Sequence, residues 1–163
     1  MGSGKSVVAA ELSKMLKIPF VELDTLIEKR LNSTITKIFA EKGELYFRKL
    51  EHQIFNEQLT CAGNLIISTG GGTPCYFNNH ELLNYKNVKS VYLSASINTL
   101  INRLRPEKHL RPLLAELTDV QINDFIAKHL FERSYFYNQA QNTIRVDNKS
   151  VVEIANEILS ILV

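Results

Sequence analysis

No apolar run in this chain approaches the length that spans a bilayer, and its amino end shows no signal-peptide pattern. Cysteine is scarce. Cys61 and Cys75 stand far apart without paired spacing, which leaves no disulfide framework to expect and makes reduced thiols in a cytoplasmic setting the default. An excess of one charge is missing too: a net +2 over 163 residues gives no case for nucleic acid as a partner, so any basic character that matters is local. His52, His80, His109 and His129 show neither metal-ligand spacing nor pairing with cysteine. There is no repeat and no low-complexity linker. What is present, 45% hydrophobic and 22% charged, is the composition of a soluble globular chain, read as one domain over 1–163 and long enough to bury a core.

The stretch that organises the rest is Met1-Gly2-Ser3-Gly4-Lys5-Ser6. It matches the end of a phosphate-binding loop, G-x-x-x-x-G-K-[ST], with the first glycine expected ahead of Met1. Glycines let backbone N–H groups close around a phosphate, and the following helix adds its positive end. Lys5 would reach the outer phosphates of ATP and the Ser6 hydroxyl would ligate Mg²⁺. Val7, Val8, Leu12, Met15 and Leu16 follow on one predicted helical face.

Downstream, extended and helical segments alternate. Strands are predicted at Ile18–Glu22, Leu65–Ser68, Ser90–Leu93 and Thr143–Val146. Helices are predicted over Asp24–Leu31, over Thr34–Lys42 with Gly43 ending it, and over Glu44–Leu59. Further helices are expected near Asn78–Tyr85, from Ile97 to Leu104, from Ile122 to near Tyr137, and from Val151 to Leu162. Arg105–Leu117, with two prolines and four basic side chains counting His109, reads as a loop. Alternating strands and helices in one short domain imply an α/β protein with a mainly parallel sheet, whose ligands bind at the carboxyl ends of the strands. A phosphate loop should be fed by a strand, and none precedes Met1, so the chain is expected to begin inside the natural protein.

The strand-end rule selects particular residues. Glu22 and Asp24 follow a strand: one could hold Mg²⁺ through water, the other could polarise a substrate hydroxyl. They could equally be an acidic pair favoured at a helix start. Gly70-Gly71-Gly72 after a β-branched strand suits close approach of a ligand, or a generous turn. Arg48 and Arg133, each on a predicted helix, could clamp a carboxylate in bidentate fashion, or could be solvated helical arginines. Arg111, in Arg111-Pro112-Leu113-Leu114, could bring a cation to the transferring phosphoryl group from a lid. Cys75 beside the glycines could approach the substrate or simply fill space.

Taken together, Gly-Ser-Gly-Lys-Ser, Glu22 to Glu28, Gly43-Glu44-Leu45-Tyr46-Phe47-Arg48-Lys49-Leu50-Glu51, Ser68-Thr69-Gly70-Gly71-Gly72, Arg111-Pro112-Leu113-Leu114, and Arg133 with Tyr137 resemble the shikimate kinase family from end to end. The resemblance implies a three-layer P-loop NTPase-like fold, with a five-stranded parallel sheet flanked by helices. It implies substrate-binding helices over about 24–60 and a lid over about 105–117. The implied activity is phosphorylation of the 3-hydroxyl of shikimate by ATP with Mg²⁺, in a cytoplasmic monomer with no nucleic-acid or membrane partner. The implied roles place Lys5, Asp24 and Arg111 in catalysis. Asp24, Arg48, Gly70, Gly71, Gly72 and Arg133 hold shikimate, with the two arginines on its carboxylate. Gly2, Ser3, Gly4, Lys5, Ser6, Arg103, Arg105, Arg111 and Lys149 bind the nucleotide, and Ser6 and Glu22 the metal. Glu22 departs from the family's usual aspartate; its extra methylene requires a shifted backbone or water shell. Another small-molecule kinase, of gluconate type, and a non-catalytic nucleotide-binding protein are the alternatives.

Overall fold

Short β-branched runs make the strands, and the computed structural model, which describes residues 2–106, 114 and 116–162, pairs them in parallel. β1 is Phe20–Glu22, β2 Ile66–Ser68, β3 Val91–Ser94 and β4 Asn142–Arg145. Phe20 lies opposite Ile66 and Glu22 opposite Ser68; Val91 lies opposite Asn142 and Ser94 opposite Arg145. The five-stranded sheet expected from the resemblance is not what the described residues form. They make two separate two-stranded sheets, β1–β2 and β3–β4, because no strand among them bridges the two pairs.

One apolar layer nevertheless spans both pairs. Helix α1 (Lys5–Leu16) buries Val8, Ala9 and Leu12, and α7 (Val151–Leu162) buries Ile154, Ala155 and Ile158. These pack with Leu93, Ile144 and Val146, and Ile66 of β2 joins the same cluster. The predicted face of α1 is partly wrong: Val7 and Met15 turn outward, 55% and 38% exposed. Leu23 and Ile27 of α2 (Leu23–Leu31) meet Ile38, Phe47, Ile54 and Phe55 of α3 (Ile35–Leu59) in a second cluster. A third joins α5 (Ile97–Leu104) to α6 (Asp119–Tyr137) through Leu100, Leu104, Ile122 and Ile126, with Leu114 fully buried among them.

Two local features shape the region around α3 and the glycine run. Gly43 breaks α3 with φ 78° and ψ 168°, a conformation that L side chains rarely adopt, so the two predicted helices sit end to end across a kink. The predicted helix over Asn78–Tyr85 shrinks to α4, Asn79–Leu82, because Phe77 and Asn78 are left-handed at φ 49° and 56°. The strand predicted at Ser90 starts one residue later, and that at Ile18 starts at Phe20, where ladder pairing begins. Of the predicted loop, residues 107–113 and 115, with Arg111 and His109, lie outside the described residues. Helix α6 begins at a capping box in which Thr118 and Gln121 satisfy each other's backbone N–H groups.

Candidate active site

The backbone of the phosphate loop is built before any side chain is considered. Gly2 and Gly4 take φ 74° and 91°, and Gly4 is the N-cap of α1 with no side-chain cap bond. The first-turn N–H groups of α1 therefore open onto the cleft without a side-chain oxygen at the cap, which makes an anion site. Arg103 fastens this loop from α5. Its Nη1 donates to the carbonyls of Ser3 (3.2 Å) and Gly2 (3.5 Å), and its Nη2 to that of Val146 (3.3 Å).

A cleft of about 900 Å³ starts at this loop. Gly2, Ser3, Gly4, Lys5 and Ser6 line it, joined by Glu22 and Asp24 at the end of β1. Arg48, Gly70, Gly71, Gly72 and Arg133 line it farther from the loop; Arg103 and Lys149 also border the cleft. Lys149 pairs with Glu157 at 2.7 Å. Arg105 is not in this lining and pairs with Asp119 at 3.1 Å. A smaller cavity of about 110 Å³ runs from Gly70 and Gly71 along β3, but its walls are chiefly apolar; the ionisable groups converge on the larger cleft.

Around Arg48 the buried polar side chains bind one another. Arg48 is 9% exposed, and its Nη1 donates to Oε2 of the fully buried Glu51 at 2.8 Å. Its Nε donates to Glu44 Oε1 at 3.3 Å. Burial works against the Arg48 charge, but the bond and the attraction of Glu51 outweigh it and lift its pKa above the usual guanidinium value. Glu51 also accepts from Thr73 Oγ1 at 2.6 Å. The Thr73 carbonyl accepts from buried Asn79 Nδ2 at 2.8 Å, and Asn79 Oδ1 lies 2.6 Å from His52 Nδ1. Sequence reasoning assigned no role to Glu51 or Thr73. The spacing of Glu51 three residues after Arg48 on a helix could have signalled the first; no local pattern signals the second.

The glycines serve this arrangement. A Cβ on Gly72 would lie 2.6 Å from Arg48 Nη2 and 2.9 Å from its Cζ, so the guanidinium rests directly on the backbone. A Cβ on Gly70 would come within 3.1 Å of Thr73 Oγ1, 3.2 Å of Glu51 Oε1 and 3.3 Å of Asp24 Oδ1. The Gly71 carbonyl accepts from the Tyr137 hydroxyl at 2.6 Å, which pins the loop to the helix that carries Arg133. Cys75 closes the 3-10 turn Thr73–Cys75, and burial raises its pKa, so it stays a neutral thiol.

Asp24 opens into the cleft while protein encloses its carboxyl on the other sides. That partial desolvation, followed by repulsion from Glu51, raises its pKa; Lys5 and Arg48 both pull it down. The carboxyl thus feels the cations of Lys5 and Arg48 at once.

Comparison with known proteins decides what this cleft belongs to. The family model described as shikimate kinase matches residues 1–163. The chain belongs to the shikimate kinase family. The shikimate kinase of Flavobacterium johnsoniae is 54% identical over 162 residues, covering 99% of this chain and 94% of that protein. A crystal structure of shikimate kinase from Bacteroides thetaiotaomicron superposes with a TM-score of 0.91 at 35% identity, covering 99% of this chain and 93% of that one. The Acinetobacter baumannii shikimate kinase, solved in complex with shikimate, gives a TM-score of 0.87 at 29% identity over 99% and 88% of the two chains. These neighbours carry the P-loop NTPase-like α/β fold, which this chain shares.

Proposed function

We propose that Lys5, Asp24, Arg48 and Arg133 divide the work by which this shikimate kinase moves the γ-phosphoryl group of ATP to the 3-hydroxyl of shikimate. The observation that carries the assignment is Asp24, a carboxyl of raised pKa that senses both Lys5 and Arg48 across one cleft. Arg48 and Arg133 hold the shikimate carboxylate, which sets the ring so that its hydroxyl faces Asp24. Asp24 accepts a hydrogen bond from that hydroxyl and takes its proton as the phosphoryl group leaves ATP; its raised pKa suits that exchange. The loop N–H groups and Lys5 meet the charge that grows on the phosphoryl oxygens, and Arg111 adds a second cation from the lid over about 105–117. Phosphoryl transfer asks for positioning and electrostatics rather than a covalent intermediate.

The hard oxygen donors of Ser6 and Glu22, both on the cleft wall, fit a magnesium ion. When bound with ATP, the ion neutralises phosphate charge. Arg103 and Lys149 border the nucleotide, and Arg105 contributes from the mouth of the lid. The sheet of the whole fold has five parallel strands, of which the described residues supply four, and the enzyme acts as a single cytoplasmic domain and a monomer. Among the described residues no helix is long and apolar enough to cross a membrane.

A coupled ADP-release assay over a panel of hydroxy acids and nucleoside monophosphates tests the reading. Turnover with shikimate and its close carboxylate relatives is expected; turnover with nucleotides alone would overturn it.

A further inference from the structure

The Arg48 guanidinium is bound along its edges by acids, yet its faces also matter. Its Cζ lies 4.4 Å from the centroid of the Tyr76 ring and 5.1 Å from that of Phe47. Phe47 belongs to the same helix and the buried cluster beneath it. Tyr76 comes from elsewhere, the residue just after the turn Thr73–Cys75, and its hydroxyl donates to Glu44 Oε1 at 3.0 Å. That is the oxygen that accepts from Arg48 Nε. Tyr76 therefore touches the arginine twice, once by its ring and once through Glu44.

The backbone around Tyr76 is unusual in a way that fixes it there. Phe77 and Asn78 are consecutive non-glycine residues at positive φ, a strained pairing that persists only where the surroundings demand it. The demand is visible: Asn79, fully buried, donates its Nδ2 to the Thr73 carbonyl and its backbone N–H to the Tyr76 carbonyl at 3.0 Å. The chain is bent back so that Tyr76 returns over Arg48 instead of continuing into a longer helix. Burial, followed by the Glu44 bond, raises the Tyr76 pKa, so the phenol remains a donor.

Fixing the plane of a guanidinium matters when its ligand is planar. Of the five N–H donors of an arginine, that on Nε and one on Nη1 are engaged by Glu44 and Glu51, so 5 − 2 = 3 remain for a ligand. A carboxylate can use two of them only if the two planes coincide. We propose that Tyr76 is a positioning residue that sets the plane of Arg48 and thereby the preference of the acceptor site for a carboxylate over its neutral isostere. This rests on the reading that Arg48 holds the shikimate carboxylate.

The test is a steady-state comparison of Arg48→Ala, Tyr76→Leu, Tyr76→Phe and the double variant Arg48→Ala with Tyr76→Leu. Shikimate and its carboxamide serve as acceptors, and thermal unfolding is followed in parallel. Tyr76→Leu is expected to raise KM for shikimate about 3- to 30-fold, the range of a partly buried cation–π contact. It should leave kcat and KM for ATP close to the parent and shrink the preference for carboxylate over carboxamide. Tyr76→Phe keeps the ring and should restore most of that preference. The double variant should be no worse than Arg48→Ala, since both changes act through one contact. If Arg48→Ala leaves KM for shikimate unchanged, the carboxylate reading itself is wrong. If Arg48→Ala raises it while Tyr76→Leu alters neither KM nor acceptor preference, the reading stands and the role of Tyr76 is overturned. Should Tyr76→Leu fail to fold, Tyr76→Met removes the aromatic face at similar volume and is read in its place; parent KM and acceptor preference in that variant would equally overturn the role of Tyr76.

Discussion

Arg48 and Arg133 do the same proposed work on one carboxylate from opposite surroundings. Arg48 is nearly buried, tied to Glu51 and Glu44, faced by two aromatic rings and seated on the Gly72 backbone. Arg133 stands half-buried on α6, and among the described residues no carboxylate lies within ion-pair distance of it. One arginine is part of the framework. The other is a wall of the cleft that can follow its ligand. In the proposed clamp the rigid cation would pre-order the first contact, and the looser one, on the helix that Tyr137 links to Gly71, would complete it.

The sharpest way to break that contrast is truncation of each arginine. Arg48→Ala leaves Glu51 buried without its cation and should cost about 3–5 kcal/mol of stability as well as acceptor binding. Arg133→Ala should change stability by no more than about 0.5 kcal/mol while still raising KM for shikimate. Urea unfolding beside steady-state kinetics measures both; equal stability losses would erase the distinction.

Next comes the seat of Arg48. Gly72 has ordinary helical torsions, φ −93° and ψ −16°, so alanine there meets no backbone strain, only the guanidinium 2.6 Å away. Gly72→Ala should therefore act by displacing Arg48, with an overpacking cost of about 1–3 kcal/mol and a raised KM for shikimate. A parent-like KM would show that the arginine has slack.

On the other side, Tyr137→Phe removes the bond to Gly71 at a cost of about 1 kcal/mol, seen as a raised KM for shikimate with a small fall in melting temperature. An unchanged KM would detach the glycine loop from the Arg133 wall.

The smallest effect on stability concerns Asp24, which senses Arg48 across the cleft. Its folded pKa is raised, so its ionisation weighs against the fold, and the penalty grows as pH climbs from the unfolded carboxylate value through the folded one. Because the group is open to the cleft, Asp24→Asn should stabilise the ligand-free protein at neutral pH by only about 0.5 kcal/mol, and by nothing below the unfolded pKa. Turnover should collapse. Melting curves at acid and neutral pH check the sign; a gain confined to acid would reverse it.

Much of this site was legible in the chain because glycine, lysine and arginine occur in short motifs whose local chemistry is demanding. Gly4-Lys5-Ser6 heads α1, Gly43 breaks α3, and Gly70 to Gly72 follow β2. The strands could be placed within a residue or two because each is a brief β-branched run. Partner and burial could not be read. Glu51 is an ordinary helical glutamate until Thr73, 22 positions away, is found donating to it. Val7 and Val8 are equivalent in composition, yet one is 55% exposed and the other 2%, a difference set by what packs opposite. The Asn78 helix was overestimated because nothing local announces that Phe77 will turn left-handed to serve Tyr76 and Asn79.

One joint on the nucleotide side carries a different lesson. Asp147, just beyond β4, accepts from Ser96 N–H at 2.9 Å and Thr99 Oγ1 at 2.5 Å at the start of α5, and these bonds hold its pKa down to about 2. Arg103, at the other end of that helix, reaches back to the Val146 carbonyl. The segment entering Lys149 and the helix bearing Arg103 are thus laced together at both ends, not two walls that can drift independently. If Arg103 and Lys149 border the nucleotide as proposed, the width of that slot is a shared dimension. Variants that alter its width are expected to need matched changes on both walls.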